Sequence, residues 1–159
     1  MATSERDEIR KKRFGEFVKA HGFDDGFIDR DEEKRILQEG VARFGIGFTD
    51  GQAIMLGVAS AFDYAIERNA DSHIRELLAH YAGRSGKISR SDFYDCVAVY
   101  KVLSKGTVSE LEIKRQLKAI MEEKGWRPRP TGMLLRTRKW YREIKSDADL
   151  AHLRALTAL

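Results

Sequence analysis

The sequence predicts an all-α protein: a compact bundle of about eight helices, with two pseudo-repeats and a basic C-terminal helical appendage. Three observations predict it. Both prolines, Pro128 and Pro130, fall in one stretch, GWRPRPTG, so the chain before it lacks the residue that most strongly breaks helices. Glycines separate segments whose apolar residues recur with helical spacing. A pattern of glycine, isoleucine and helix-capping residues also recurs at an offset of 60 residues.

The helices are expected in chain order at 5–20, 30–44, 50–69, 72–82, 90–104, 110–124, 132–145 and 147–157. Segment 50–69 is apolar on most sides, which predicts a central buried helix. Segment 31–44 is apolar on one side only, as in a helix packed by one face. We expect residues 1–124 to form a duplicated core domain. Residues 125–159 would form a Pro-containing turn and helices packed on that core.

The composition is typical of a folded protein. The chain has 159 residues, of which 42% are hydrophobic and 34% charged, enough for an apolar core without disulfides. It has no apolar run long enough for a membrane span, and its first residues are too polar for a signal peptide. Cys96 is the only cysteine, so no internal disulfide can form. These features predict a cytoplasmic location.

The repeat joins DGFIDRDE at 25–32 to SGKISRSD at 85–92 and continues without a gap. Ile28 meets Ile88, and both are expected to be buried. Helix-start pairs recur as well, with a hydroxyl or carboxyl three residues before a polar partner: Asp29 with Glu32, Thr49 with Gln52, Ser89 with Asp92, and Ser109 with Glu112. We therefore expect 25–53 and 85–113 to superpose as turn–helix–turn–helix units. Chance alignment of common helix-start residues is the alternative.

The first of these turns resembles a degenerate EF-hand loop. Gly26, Ile28 and Glu32 stand at the loop's glycine, isoleucine and glutamate positions. In that register His21 and Phe23 would occupy two early ligand positions, and neither supplies a carboxylate. The second copy also lacks early carboxylates. The pattern therefore predicts no cofactor beyond weak, single-site binding of Ca²⁺ or another divalent metal.

The string Asp25-Gly26-Phe27-Ile28-Asp29-Arg30-Asp31-Glu32, with Gly45 and the helix from Ile54 to Phe62, resembles the TerB-type domains of tellurite-resistance proteins. The resemblance covers roughly residues 10 to 123. It implies an all-helical duplicated fold and a role in stress-linked or membrane-linked complexes. It also implies divalent-metal binding by acidic turn residues, here Asp24, Asp25, Asp29, Asp31 and Glu32. We favour another role for these acids, in which they cap the following helix and complement its dipole.

The sequence offers little for catalysis. His73 and His80 share a helix face but lie two turns apart, beyond joint ligation of one metal. Cys96 falls on an apolar helical stripe, where we expect a buried, inert thiol. The chain has no glycine-rich phosphate loop and no Gly-x-Ser-x-Gly nucleophile elbow. We therefore predict that the protein is not an enzyme.

Positive charge is concentrated between residues 125 and 145. This stretch has a local charge of +6 in a chain of net charge +4. Its cations are Arg127, Arg129, Arg136, Arg138, Lys139, Arg142 and Lys145. Thr131 is expected to cap an amphipathic helix, with the cations facing outward and an apolar side formed by Met133, Leu134, Trp140, Tyr141 and Ile144.

Arginine guanidinium groups bind phosphate or carboxylate in bidentate fashion, which makes the basic segment the predicted binding surface. The expected function is a non-catalytic interaction or adaptor module with a protein partner. The alternative is an accessory subunit that binds nucleic acid, or another polyanion, through residues 127–145. An anionic membrane surface is a further partner to consider. The alternative without a binding role is that these cations form the solvated face of an ordinary amphipathic helix.

Overall fold

The computed structural model describes residues 2–21, 25–133, 136–146 and 149–151. The fold is all-α, as the sequence predicts. Its helices are α1 (Ala2–His21), α2 (Arg30–Ala42), α3 (Phe48–Phe62), α4 (Glu67–Ala82), α5 (Arg90–Leu103), α6 (Glu110–Glu123), α7 (Lys139–Arg142) and a 3₁₀ turn at Gly83–Ser85. In the described ranges no helix is both long enough and apolar enough to cross a bilayer.

Four short strands accompany the helices: β1 (Phe27–Ile28), β2 (Ala65–Ile66), β3 (Lys87–Ile88) and β4 (Arg127–Pro128). They form two parallel pairs, β1 with β2 and β3 with β4. The sequence predicts turns where β1 and β3 lie, so the strands correct that expectation. Their hydrogen bonds join segments almost forty residues apart, and no local pattern encodes such a pairing.

The chain forms two compact units, Met1–Ala70 and Asp71–Leu159. The predicted division into a core domain at 1–124 and an appendage at 125–159 packed on it stays a prediction. Residues 125–145 belong to the second unit because β4 pairs with β3 and Trp140 packs against Phe93, with ring centroids 5.3 Å apart. Buried residues of the basic segment therefore contribute to the second unit's own core, while its cations stay exposed.

The first unit is built around Phe14 and Val18 of α1, Ile28, Ile36 and Met55, all without exposed surface. Asp29 caps α2, because its Oδ1 accepts a hydrogen bond from the Glu32 amide at 2.7 Å and Glu32 accepts one from the Asp29 amide at 3.3 Å. Gly40 lets α1 approach α2 closely, since a Cβ there would lie 2.9 Å from the Phe14 ring. The Asp29–Glu32 cap therefore determines where α2 starts, and Gly40 determines how closely it packs against α1.

The second unit has a core of the same kind, with Ile88, Phe93 and Leu117 fully buried. Ser89 caps α5 through a 3.1 Å hydrogen bond from the Asp92 amide, and Asp92 accepts from the Ser89 amide in return. Tyr100 donates a buried 2.9 Å hydrogen bond to Asp71. Each unit thus contains a short strand followed by a capped helix. The superposition of 25–53 on 85–113 stays a prediction.

The predicted helix 50–69 is wrong at both ends. Helix α3 starts at Phe48, because Gly47 accepts the first helical hydrogen bond from Gly51 at 2.8 Å. Thr49 therefore lies inside the helix and is no cap, whereas Ser109 caps α6 as predicted. The helix ends at Asp63, whose φ of 56° is left-handed. Residues beyond it form β2, where the Ala65 amide bonds the Gly26 carbonyl at 2.8 Å.

Helix α3 is also less buried than a central helix would be. Gly51, Met55 and Ala59 are its buried residues, while Leu56 and Phe62 are exposed. Ile54 and Val58 are only partly buried against the core. The prediction of an all-round buried helix is therefore wrong.

Among the described residues of the predicted helix 132–145, only the four residues of α7 are helical. Thr131 pairs with Thr137 in an antiparallel bridge, with N–H···O distances of 2.8 and 2.9 Å. Its amide and carbonyl are thus held by the bridge, so Thr131 does not begin a helix. Residues 149–151 are helical, and the rest of the predicted helix 147–157 lies outside the described residues, as does Leu134.

Candidate functional site

The acidic turn supports the start of helix α2. Asp25 accepts a 2.9 Å hydrogen bond from the Phe27 amide, and Asp29 and Glu32 form the reciprocal cap. Asp31 lies exposed in the first helical turn. Asp24 is outside the described residues. In the part of the chain that the structure describes, no three His, Cys, Asp or Glu side chains converge as a metal-binding group. The capping role predicted for Asp29 and Glu32 is confirmed.

Cys96 is fully buried on α5, as its apolar stripe predicts. Burial, followed by the nearby carboxylates of Asp95 and Asp92, raises the pKa of the thiol to about 12. Because the thiolate is the reactive form of cysteine, the Cys96 side chain is held in its unreactive state at neutral pH.

The basic segment starts on strand β4, where proline fits for a specific reason. The amides of Arg127 and Arg129 donate to the carbonyls of Gly86 and Ile88, each at 2.8 Å. Pro128 stands between these two donors, at the position that makes no amide hydrogen bond to β3. Its missing N–H therefore costs no bond of the strand pair.

A short loop then returns the chain to the prolines. The bridge between Thr131 and Thr137 closes this loop, so Arg136 and Arg138 flank its second arm. Met133, inside the loop, is completely exposed. Arg142 lies four residues after Arg138, one helical turn further on. The fold thus brings arginines from the loop and from α7 close to both prolines.

Buried aromatic residues anchor α7. Trp140, Tyr141 and Ile144 are buried, and the Trp140 ring meets the Phe93 ring edge to face. Lys118, a buried lysine of α6, donates a 2.7 Å hydrogen bond to the Ile144 carbonyl. The Tyr141 hydroxyl donates to the Lys118 carbonyl at 3.4 Å, and burial, with a smaller effect of Glu122, raises the pKa of that hydroxyl. These contacts hold α7, which carries Arg142 and begins directly after Arg138, against the core of the second unit.

Arg136, Arg138 and Arg142 line one concavity of about 580 Å³, which we call the arginine concavity; Pro128, Pro130, Thr137 and Tyr141 complete its lining. No described acidic side chain lies within 4.0 Å of these three guanidinium groups. Three neighbouring cations without acidic partners form a site of positive potential. Such a site binds phosphate or carboxylate groups.

The other four predicted cations lie outside this concavity. Arg127 and Arg129 alternate with Pro128 along β4, so they point to the opposite side. Lys139 pairs with Glu143 at 3.8 Å. Lys145 is one of the charges that lower the pKa of Asp149, after hydrogen bonds from Ser146 and the charge of Lys118. The structure therefore brings together three of the seven predicted residues.

Sequence reasoning missed a second concave surface, in the first unit. A groove of about 620 Å³ lies between α2 and the start of α3. Leu37 is buried in it, whereas Val41 and Phe48 are 51% and 57% exposed. The sequence assigns Leu37 and Val41 to one packed face of α2. The sequence does contain a sign of this groove: the apolar face of α2 extends as far as Val41, although the core of the first unit covers it only as far as Leu37.

Comparisons of the chain with protein-family models, with curated proteins and with solved structures find no match in any of the three.

Proposed function

We propose that the protein is a non-catalytic adaptor module that binds an acidic or phosphorylated segment of a protein partner through the arginine concavity. The observation that carries the proposal is the grouping of Arg136, Arg138 and Arg142 around one concavity without an acidic partner among the described residues. The resemblance to TerB-type domains supports it, because that resemblance implies a role in complexes.

The physical argument concerns the charges themselves. Neighbouring guanidinium groups repel one another, and an anion that bridges them relieves this repulsion. Each guanidinium can donate two parallel hydrogen bonds to a carboxylate or phosphate. Because Trp140 and Ile144 fix α7 on the core, the backbone that carries Arg142 has little conformational entropy to lose when an anion binds.

Nucleic acid is the second candidate partner, and the local charge of +6 between residues 125 and 145 favours it. Trp140 and Tyr141 are buried against Phe93 and each other, so their rings are not free to stack on bases. Nucleic acid would therefore be bound through its phosphates, and its sequence would matter little.

A pull-down from native lysate tests the proposal, with and without nuclease. The test variant carries Arg136→Gln, Arg138→Gln and Arg142→Gln together. The matched control carries Arg6→Gln, Lys12→Gln and Arg13→Gln, which remove the same charge from exposed positions of α1. A protein that the parent and the control retain after nuclease, and that the test variant loses, would support the adaptor function.

Nucleic acid would give a different result. Capture would then be lost with nuclease, and affinity for a single-stranded oligonucleotide would fall with salt by a logarithmic slope of about −0.7 per neutralised phosphate. That slope would flatten in the test variant alone. Equal binding by parent, test variant and control would contradict both candidates.

A further inference from the structure

We infer that the groove between α2 and the start of α3 binds the apolar face of an acidic amphipathic helix from a partner protein. This site lies in the first unit and does not depend on the arginine concavity, so it goes beyond the function proposed above.

The groove has an apolar floor and apolar walls. Leu37 forms part of the floor, and Val41 and Phe48 stand on either side with about half of their surfaces exposed. Its volume of about 620 Å³ is in the range of pockets that bind ligands or side chains. Exposed apolar surface arranged in a concavity indicates a binding site more strongly than scattered apolar residues do.

The shape of the groove favours a helical occupant. Arg30, Lys34, Leu37 and Val41 follow one another at three- and four-residue steps, so they form a continuous strip along α2. Phe48 and Gln52 form the facing strip on α3 by the same spacing. A groove between two helices accepts a third helix, which inserts apolar residues spaced at i, i+3 or i+4, and i+7.

The charges at the rim favour an acidic occupant. Arg30 pairs with Glu67 at 3.6 Å, and Arg68 pairs with Glu33 at 2.9 Å. In both pairs the carboxylate is the covered member, with side chains 15% and 10% exposed, whereas the arginine side chains are 61% and 45% exposed. The rim therefore presents guanidinium groups to solvent. Lys34 adds a cation for which no described acidic side chain lies within 4.0 Å. Acidic residues flanking the apolar face of an incoming helix would complement this rim.

A displayed library of amphipathic helices tests the inference on the full chain. Each peptide is about 15 residues long, near the length at which an isolated helix becomes marginally stable. Leucine is fixed at the apolar positions, and the remaining positions are randomised. We expect the selected peptides to be rich in Asp and Glu beside the leucines. Failure to enrich any peptide, or enrichment of Lys and Arg at those positions, would overturn the inference.

Variants locate the site. Val41→Ser with Phe48→Ser should weaken a selected peptide by tenfold or more, about 1.4 kcal/mol. Val102→Ser with Leu111→Ser is the matched control, because both are exposed apolar residues of the second unit and neither lines the groove. Lys34→Glu should weaken the acidic peptide and improve binding of a version with Lys in place of each acid. Equal binding by the groove variant and the control would overturn the inference.

Sedimentation measurements of oligomeric state test the alternative that a second copy of this chain fills the groove. If the parent chain self-associates and the Val41→Ser, Phe48→Ser variant does not, a second copy fills the groove, and the inference of an acidic partner helix is wrong. A parent that stays monomeric while binding the acidic peptide supports it. Because the arginine concavity is intact in every variant used here, loss of peptide binding leaves the proposed adaptor function to be judged separately.

Discussion

Helices α2 and α5 each begin at a residue whose side chain closes a reciprocal pair of hydrogen bonds. Removing such a cap leaves a helical N–H without its partner. Asp29→Ala and Ser89→Ala should therefore each lower the free energy of unfolding by about 1 kcal/mol. Urea unfolding monitored by circular dichroism measures this change.

Thr49→Ala is the control for the capping prediction. Thr49 is inside α3 and exposed, so its loss should change stability by less than about 0.5 kcal/mol. A cost for Thr49→Ala as large as that for Asp29→Ala would show that α3 begins at Thr49 after all.

Cys96 gives a prediction on pH. In the unfolded chain the thiol has a pKa of about 9, whereas in the folded protein burial raises it to about 12. The unfolded state therefore releases the proton first as pH rises. The stability that comes from keeping this thiol neutral is complete below pH 9 and is lost progressively between about pH 9 and pH 12.

Alkylation measures the same property. At pH 8 the thiol of the native protein should react with iodoacetamide far more slowly than the thiol of the protein unfolded in urea. In a separate measurement of stability against pH, Cys96→Ala should reduce the loss of stability above pH 9. Equally fast alkylation in both states would mean that the thiol is accessible in the folded protein.

At the scale of elements, α7 is too short to be stable alone and depends on its buried side chains. Trp140→Ala removes a buried ring that contacts Phe93 and should lower the free energy of unfolding by about 3–5 kcal/mol. Trp140→Phe should cost less, because the indole Nε1 makes no hydrogen bond to a described residue. Chemical unfolding measures both effects.

A buried hydrogen bond from Lys118 also helps to hold α7 on the core. Lys118→Met keeps most of the buried volume but removes the hydrogen bond to the Ile144 carbonyl. We expect amide hydrogen exchange to quicken at residues 139–145, because that carbonyl loses its partner. Exchange that is unchanged in Lys118→Met would show that the aromatic contacts alone hold α7.

Helices with a local start signal could be predicted from the sequence. The Asp29 and Ser89 caps, with Glu32 and Asp92 three residues on, place the starts of α2 and α5 correctly. The end of α3 could not be predicted, because the pairing of β1 with β2 takes over the residues after Asp63. Such pairing depends on residues far away in the chain, and it overrides the helical spacing of the apolar residues.

The arrangement of the basic segment also depends on pairings that its sequence does not reveal. Its composition predicts a charged surface, and its arginines do gather in part. The sequence could not indicate which of them gather, since the answer depends on the Thr131–Thr137 bridge and on the alternation of β4. A helical projection of residues 132–145 groups Arg138 and Arg142 with Lys139 and Lys145, whereas in the structure Arg138 and Arg142 share the concavity with Arg136.

At the scale of the whole molecule, each unit has its own buried isoleucine in a strand pair, Ile28 in the first and Ile88 in the second. Ile28→Ala and Ile88→Ala should each cost about 2–5 kcal/mol, because each leaves a cavity in a closed core. Hydrogen exchange should quicken chiefly in α1–α3 for the first variant and in α5–α6 for the second. A uniform loss of protection in both variants would mean that the chain unfolds as one cooperative unit.

The amide pattern of β4 has a consequence for assembly. Its two neighbouring donors, Arg127 and Arg129, are both used by β3, and Pro128 offers no N–H on the other side. An additional strand approaching that side would meet a carbonyl and no donor, so it could not continue the ladder. The two-stranded pair is therefore closed to growth by sheet extension at β4. Partners that approach there must be recognised by side chains rather than by backbone pairing.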